Sequence, residues 1–121
     1  MNNYNQINIY GVEYPCPNNQ KWQLEMIEDF PMTEEEYKVF SKGYSPDWEC
    51  RYAPFFFENW HYITRSGFWL KKISYEKRKD GLYHIVQQFS TEKELGRNLL
   101  KEILIEGYFQ PPLCDVVKRV I

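Results

Sequence analysis

His61 and His84 are the only imidazoles in a chain of 121 residues. Two imidazoles can serve as general acid and general base in metal-free RNA cleavage, and Lys71 or Lys72 could steady the phosphate. Both histidines fall inside β-rich runs, in aromatic or aliphatic company, where the plainer account is a satisfied polar group on a strand. Lys71-Lys72 and Lys77-Arg78-Lys79, beside Trp69 and Tyr75, could form a basic, aromatic β-surface on which one nucleic-acid strand stacks its bases. The competing account is a hairpin tip kept soluble by charge. It is favoured by a formal net charge of −2 and by the lack of an RNP-type aromatic signature.

Cys16, Cys50 and Cys114 are widely spaced, with no CxxC pair and no adjacent histidine. That pattern offers neither a zinc nor a redox site and reads as three reduced thiols. The sequence contains no GxGxxG, GxxxxGK[ST], HExxH or GxSxG and no EF-hand spacing, which sets aside the common nucleotide, metal and acyl-transfer machineries. A binding protein without cofactor or metal is expected, and not an enzyme. The alternative is a small metal-independent ribonuclease or nucleic-acid-binding module using His61, His84 and the basic 71–79 hairpin.

These residues must be positioned by a fold that the hydrophobic pattern outlines. Alternation from Gln6 to Tyr14 predicts a strand closed by the turn residues Pro15-Cys16-Pro17-Asn18-Asn19. Trp22, Leu24 and Met26 alternate with Gln23, Glu25 and Ile27, predicting a second strand antiparallel to the first. Thr33-Glu34-Glu35-Glu36 is a capping box, in which the Thr33 hydroxyl and the Glu36 carboxylate satisfy each other's backbone N–H groups. The helix it opens runs through Tyr37, Val39 and Phe40 to Gly43. Tyr44 to Pro54 reads as an irregular connection, with a short strand at Trp48 to Tyr52.

Trp60 to Thr64, Phe68 to Tyr75 and Leu82 to Phe89 are β-rich runs separated by short Gly-containing turns, the signature of an antiparallel meander. Thr91-Glu92-Lys93-Glu94 is a second capping box. It opens a predicted helix in which Leu95, Leu99 and Ile103 stack, flanked by Leu100 and Leu104 and ended by Gly107. Leu113 to Ile121 is a last short helix or strand. The order predicts a single α+β domain over residues 1–121: a twisted antiparallel sheet of about five strands, a long helix packed on one face and a second short helix.

Composition agrees with one folded domain: 43% hydrophobic, 26% charged and 18% aromatic residues. No apolar run is long enough for a membrane span, and the first residues lack the basic flank and apolar stretch of a signal peptide, so a cytoplasmic protein with no membrane partner is expected. Charge is divided unevenly. Residues 1–60 carry ten acids against four bases (−6), and residues 61–121 carry seven against eleven (+4). Six acids lie between Glu25 and Glu36. On one face they would create a negative field; otherwise they only solvate a helix start.

The acidic stretch Glu25-Met26-Ile27-Glu28-Asp29 to Thr33-Glu34-Glu35-Glu36, the aromatics, and the meander running into Thr91-Glu92-Lys93-Glu94-Leu95 and on to Gly107 carry a resemblance of pattern. In these features the chain resembles the small cytosolic immunity proteins of bacterial contact-dependent inhibition and related polymorphic toxin systems. The resemblance implies a protein that binds one cognate toxin, commonly a nuclease, and blocks its active site or a site beside it. Direct binding of nucleic acid is then not expected. Such proteins share no invariant residue, so none is carried over.

The residues themselves suggest where a partner would sit. Glu28, Asp29, Glu34, Glu35, Asp47 and Glu49 supply acidic contacts, and Trp48, between two acids in a predicted loop, supplies an aromatic anchor.

Overall fold

A computed structural model of the chain describes residues 6–44 and 52–120. Seven strands form two antiparallel sheets: β1 (Gln6–Ile9), β2 (Val12–Pro15), β3 (Gln23–Leu24), β4 (Ala53–Phe57), β5 (Trp60–Arg65), β6 (Phe68–Lys77) and β7 (Tyr83–Ser90). Three helices accompany them, α1 (Glu34–Lys42), α2 (Leu99–Ile105) and α3 (Val117–Val120). The expected α+β class is the observed one, and the main sheet has five strands in the order β3-β7-β6-β5-β4. The meander β5-β6-β7 forms where the alternating runs place it, with bulges at Ile63/Thr64 and Ser74/Tyr75.

The N-terminal region differs from the expectation. Tyr10 and Gly11 both take positive φ, 51° and 84°, the two-residue turn geometry that follows strand twist. The run expected as one strand therefore folds back on itself as the hairpin β1–β2, with Ile9 opposite Val12. The second expected strand shrinks to β3, which pairs with β7 at Gln23↔Ser90 and Leu24↔Phe89. β4 lies within and beyond the segment read as irregular. Pro54 is tolerated there because β4 is an edge strand, where a missing N–H interrupts no ladder.

Helix α1 starts as the capping box dictates. The Thr33 hydroxyl accepts from the Glu36 amide at 3.2 Å, and the Glu36 carboxylate accepts from the Thr33 amide at 3.0 Å. It stops at Gly43, whose φ of 75° and whose Cα-to-Pro54 approach exclude a side chain; a Cβ would lie 2.6 Å from the Pro54 carbonyl oxygen. The second capping box does not form. Thr91 donates its hydroxyl to the Trp69 carbonyl oxygen, and the Glu94 carboxylate accepts from Arg97 instead. A short 3-10 turn spans Glu92–Glu94, Leu95 is exposed, and the helix begins only at Leu99. The helix expected to be long is thus a seven-residue one.

One face of the main sheet carries Ile63, Ile73 and Ile85, packed against Phe40 of α1, Leu99, Leu100, Ile103 and Leu104 of α2, and Leu113 and Val116 near the C-terminus. The opposite face carries Tyr62 and Trp69 beneath the β1–β2 hairpin, which contributes Ile9 and Tyr14. Trp69 donates its indole N–H to the Pro15 carbonyl oxygen at 2.6 Å, tying hairpin to sheet. Most of the aromatic surplus is spent in these two cores, where ring area substitutes for helical layers.

Candidate functional site

The acidic stretch is positioned by the end of β3. The Glu25 amide donates to the Gln88 carbonyl oxygen at 3.1 Å, extending the pairing with β7 by one residue beyond Leu24. Extended backbone sends successive side chains to opposite sides. The Glu25 side chain accordingly turns inward to Lys71, at 2.7 and 2.8 Å, while Leu24 and Met26, on the other side, stand in solvent at 68% and 90% of their full exposure; Ile27, past the paired residues, is 50% exposed. β3 is the outer strand of the sheet, so the side of this segment away from β7 has no strand partner among the described residues.

Only part of the predicted acidic surface faces outward. Glu28 is buried, accepting from the Gln88 side-chain amide at 2.9 Å and from the Lys101 backbone N–H at 3.1 Å. Burial pushes its carboxyl up, opposed by those backbone and side-chain donors and by the Lys71 charge. Glu34 is exposed but engaged, accepting from Lys77 and from the Tyr83 hydroxyl, each at 3.1 Å, which holds its carboxyl below the usual range. Glu36, besides closing the capping box, is buried against Arg119. Asp29 and Glu35 are exposed and have no ion pair among the described residues. Asp47, Trp48 and Glu49 lie outside the described residues. A cleft of about 440 Å³ borders the segment, lined by Glu25 to Asp29 with Gly96, Asn98, Lys101 and Val120.

The other candidate chemistry is dispersed. His61 is buried against α1, its Nε2 2.8 Å from the Ser41 hydroxyl and its ring stacked on Phe40. Burial lowers its pKa to about 4. His84 is opposite Glu76 and bonded to Asp80 at 2.8 Å. His61 faces the side of Ile73 and Ile85, and His84, adjacent to Ile85 in β7, alternates to the other side. The sheet therefore separates the two imidazoles.

The basic hairpin disperses likewise. Lys71 is wholly buried, Lys72 lies over the Trp60 ring at 4.4 Å, and Lys77 is bound to Glu34. Arg78 and Lys79 remain exposed at the turn. Among the described residues no group of three His, Cys, Asp or Glu side chains could hold a metal ion, and no helix is long and apolar enough to cross a membrane.

Comparison with known proteins finds no matching family model, curated protein or solved structure. The geometry alone must therefore carry the functional reading. Sequence reasoning located the stretch but missed its inside and outside. The signal lies in the alternation of Leu24 and Met26 with Glu25, which from sequence predicts a strand antiparallel to the Gln6–Tyr14 run and in the structure pairs with β7.

Proposed function

We propose that this chain is an immunity-type binding protein that neutralises a cognate toxin, a nuclease domain, in the bacterial cytoplasm, by covering the toxin's active face with the segment Leu24–Asp29. The supporting observation is a short segment at the outer edge of the sheet along which Leu24, Met26 and Ile27 are exposed and Asp29 has no ion pair among the described residues. Exposed apolar side chains at a strand edge are a liability in a free monomer and an asset in a complex, because a partner can bury them and meet the open backbone. Nucleases are basic where they hold phosphates, so the exposed acids Asp29 and Glu35, without an ion pair among the described residues, favour that partner over an acidic one.

The experiment is rescue. The chain is co-produced with any toxin domain that is found encoded beside its gene or captured by it in a pull-down, and growth is followed with the parent, Met26→Lys and Asp29→Lys. Rescue by the parent and loss of rescue by variants with the parent's thermal midpoint support the reading. Absence of rescue, or equal rescue by all three, overturns it.

A further inference from the structure

A second concave site, sharing no residue with the Leu24–Asp29 patch, lies at the tip of the β5–β6 hairpin. Arg65 and Phe68 are directly opposite each other across the turn Ser66-Gly67, where positive φ at both residues (50° and 88°) makes the turn tight. Cross-strand partners project to the same side, so a guanidinium and a ring stand next to each other. Tyr52 lies beneath the guanidinium, its ring centroid 5.2 Å from the Arg65 Cζ, and its hydroxyl accepts from Arg65 Nη1 at 3.2 Å. Leu70 forms a buried floor, and Thr91 and Lys93 form the far wall of a groove of about 880 Å³.

The groove is lined by two cations, Arg65 and Lys93, and two carboxylates, Glu92 and Glu94. Arg65 is partly buried and has no carboxylate among the described residues; its only hydrogen bond there uses one of five N–H donors. Lys93 is exposed and unpaired among the described residues. Of the two carboxylates on the same wall, Glu94 is committed to Arg97, and Glu92 points from an exposed turn. A guanidinium held by Tyr52 and keeping open donors fits a planar carboxylate in a bidentate manner. Phe68, a ring at 64% exposure with no charged duty, adds apolar area beside it. The groove's size suits a small molecule.

We infer that this groove binds a small amphiphilic anion, a flat apolar or aromatic body bearing one carboxylate that is received by Arg65 while the body lies between Phe68 and Leu70. The site does not depend on the toxin-binding reading. A ligand there could coexist with a partner on the β3 edge.

The probe is 2-naphthoate, with 2-naphthylmethanol as its neutral counterpart, titrated into isotopically labelled protein by NMR and calorimetry. Amide shifts are expected at Gly67, Phe68, Leu70, Thr91 and Lys93, with binding about tenfold weaker for the neutral compound and for Arg65→Gln, the worth of one charge-assisted contact. Arg65→Lys should retain part of the affinity, and Phe68→Ala should weaken both compounds alike. Each variant's unfolding midpoint is compared with the parent's. Because Arg65→Gln could disturb Tyr52, the neutral compound on unaltered protein gives an independent reading. Equal affinity for the two compounds, shifts confined to other surfaces, or no binding at millimolar concentration would overturn the inference.

Discussion

The ammonium of Lys71 and the carboxylate of Glu25 meet at 2.7 Å with side-chain exposures of 0% and 4%. Lys71 also donates to the Glu94 carbonyl oxygen at 2.8 Å and contacts the Ser90 hydroxyl at 3.3 Å. Glu25 in turn accepts from the Gly96 amide and from Gln88. One buried pair thus fastens the segment after β3, strands β6 and β7, and the turn leading to α2.

Breaking one side of that pair should cost more than replacing both. Glu25→Leu leaves an ammonium buried without its counter-charge and is expected to lower stability by about 3 to 5 kcal/mol, whereas Glu25→Leu with Lys71→Met should recover most of the loss. Urea unfolding of the parent, the two single variants and the double variant measures the coupling. Strict additivity of the two single effects would show that the pair is not a unit.

Features governed by near neighbours were legible in the sequence, and those governed by distant ones were not. The Thr33/Glu36 box is complete within four residues and forms as written. Thr91/Glu94 has the same spelling, yet Trp69 and Arg97 offer competing partners and the box is lost. Tyr10-Gly11 was hidden by residues that keep the strand alternation on either side of the turn. For the acids of residues 25–36 the sequence leaves two readings open, a shared charged face or a solvated helix start, because nothing local reveals that Lys71, Gln88 and Arg119 draw three of them inward. Trp48 and its flanking acids, the anchor proposed from sequence, fall outside the described residues.

The start of α2 gives a second stability contrast. Leu99 is fully buried among Leu100, Ile103 and the sheet, so Leu99→Ala should cost about 2 to 5 kcal/mol. Leu95 precedes the helix and is 46% exposed, so Leu95→Ala should shift the denaturant midpoint little. Equal losses for the two would place Leu95 in the helix after all.

His61 makes stability depend on pH in a defined window. Its imidazole is neutral in the fold, with a pKa near 4 against 6.5 when free, so the unfolded chain binds more protons between those values. The contribution is complete above pH 6.5 and is lost progressively as pH falls to 4, up to ~3 kcal/mol. His61→Phe, which suits the surrounding rings of Phe40, Phe56 and Tyr75, should flatten that part of the stability curve. An equally steep decline in the variant would assign the pH dependence to other groups.

Separation of the two imidazoles by the sheet motivates an expectation of no nuclease activity. Purified protein incubated with labelled tRNA, single-stranded RNA and DNA, with and without divalent metal, should leave each intact. Metal-independent cleavage abolished by both His61→Ala and His84→Ala would overturn the binding-protein reading.

If the chain binds a toxin as proposed, the kinetics of that complex should divide according to the chemistry of the Leu24–Asp29 segment. Asp29 is exposed and unpaired among the described residues, and a rim charge of this kind acts mainly on encounter. Reversing it to Lys should slow association and weaken its salt dependence, leaving dissociation nearly unchanged. Met26 contributes contact area rather than charge, and affinity differences from lost packing fall on the off-rate. Met26→Ala should therefore speed dissociation with little effect on association. Glu28 offers an internal control. It is buried and bound to Gln88 and the Lys101 amide, so Glu28→Gln should alter stability before it alters binding. Surface-bound toxin domain, two salt concentrations and a check of each variant's fold suffice for the measurement. Unaltered kinetics in both Asp29→Lys and Met26→Ala would move the interface away from the β3 edge.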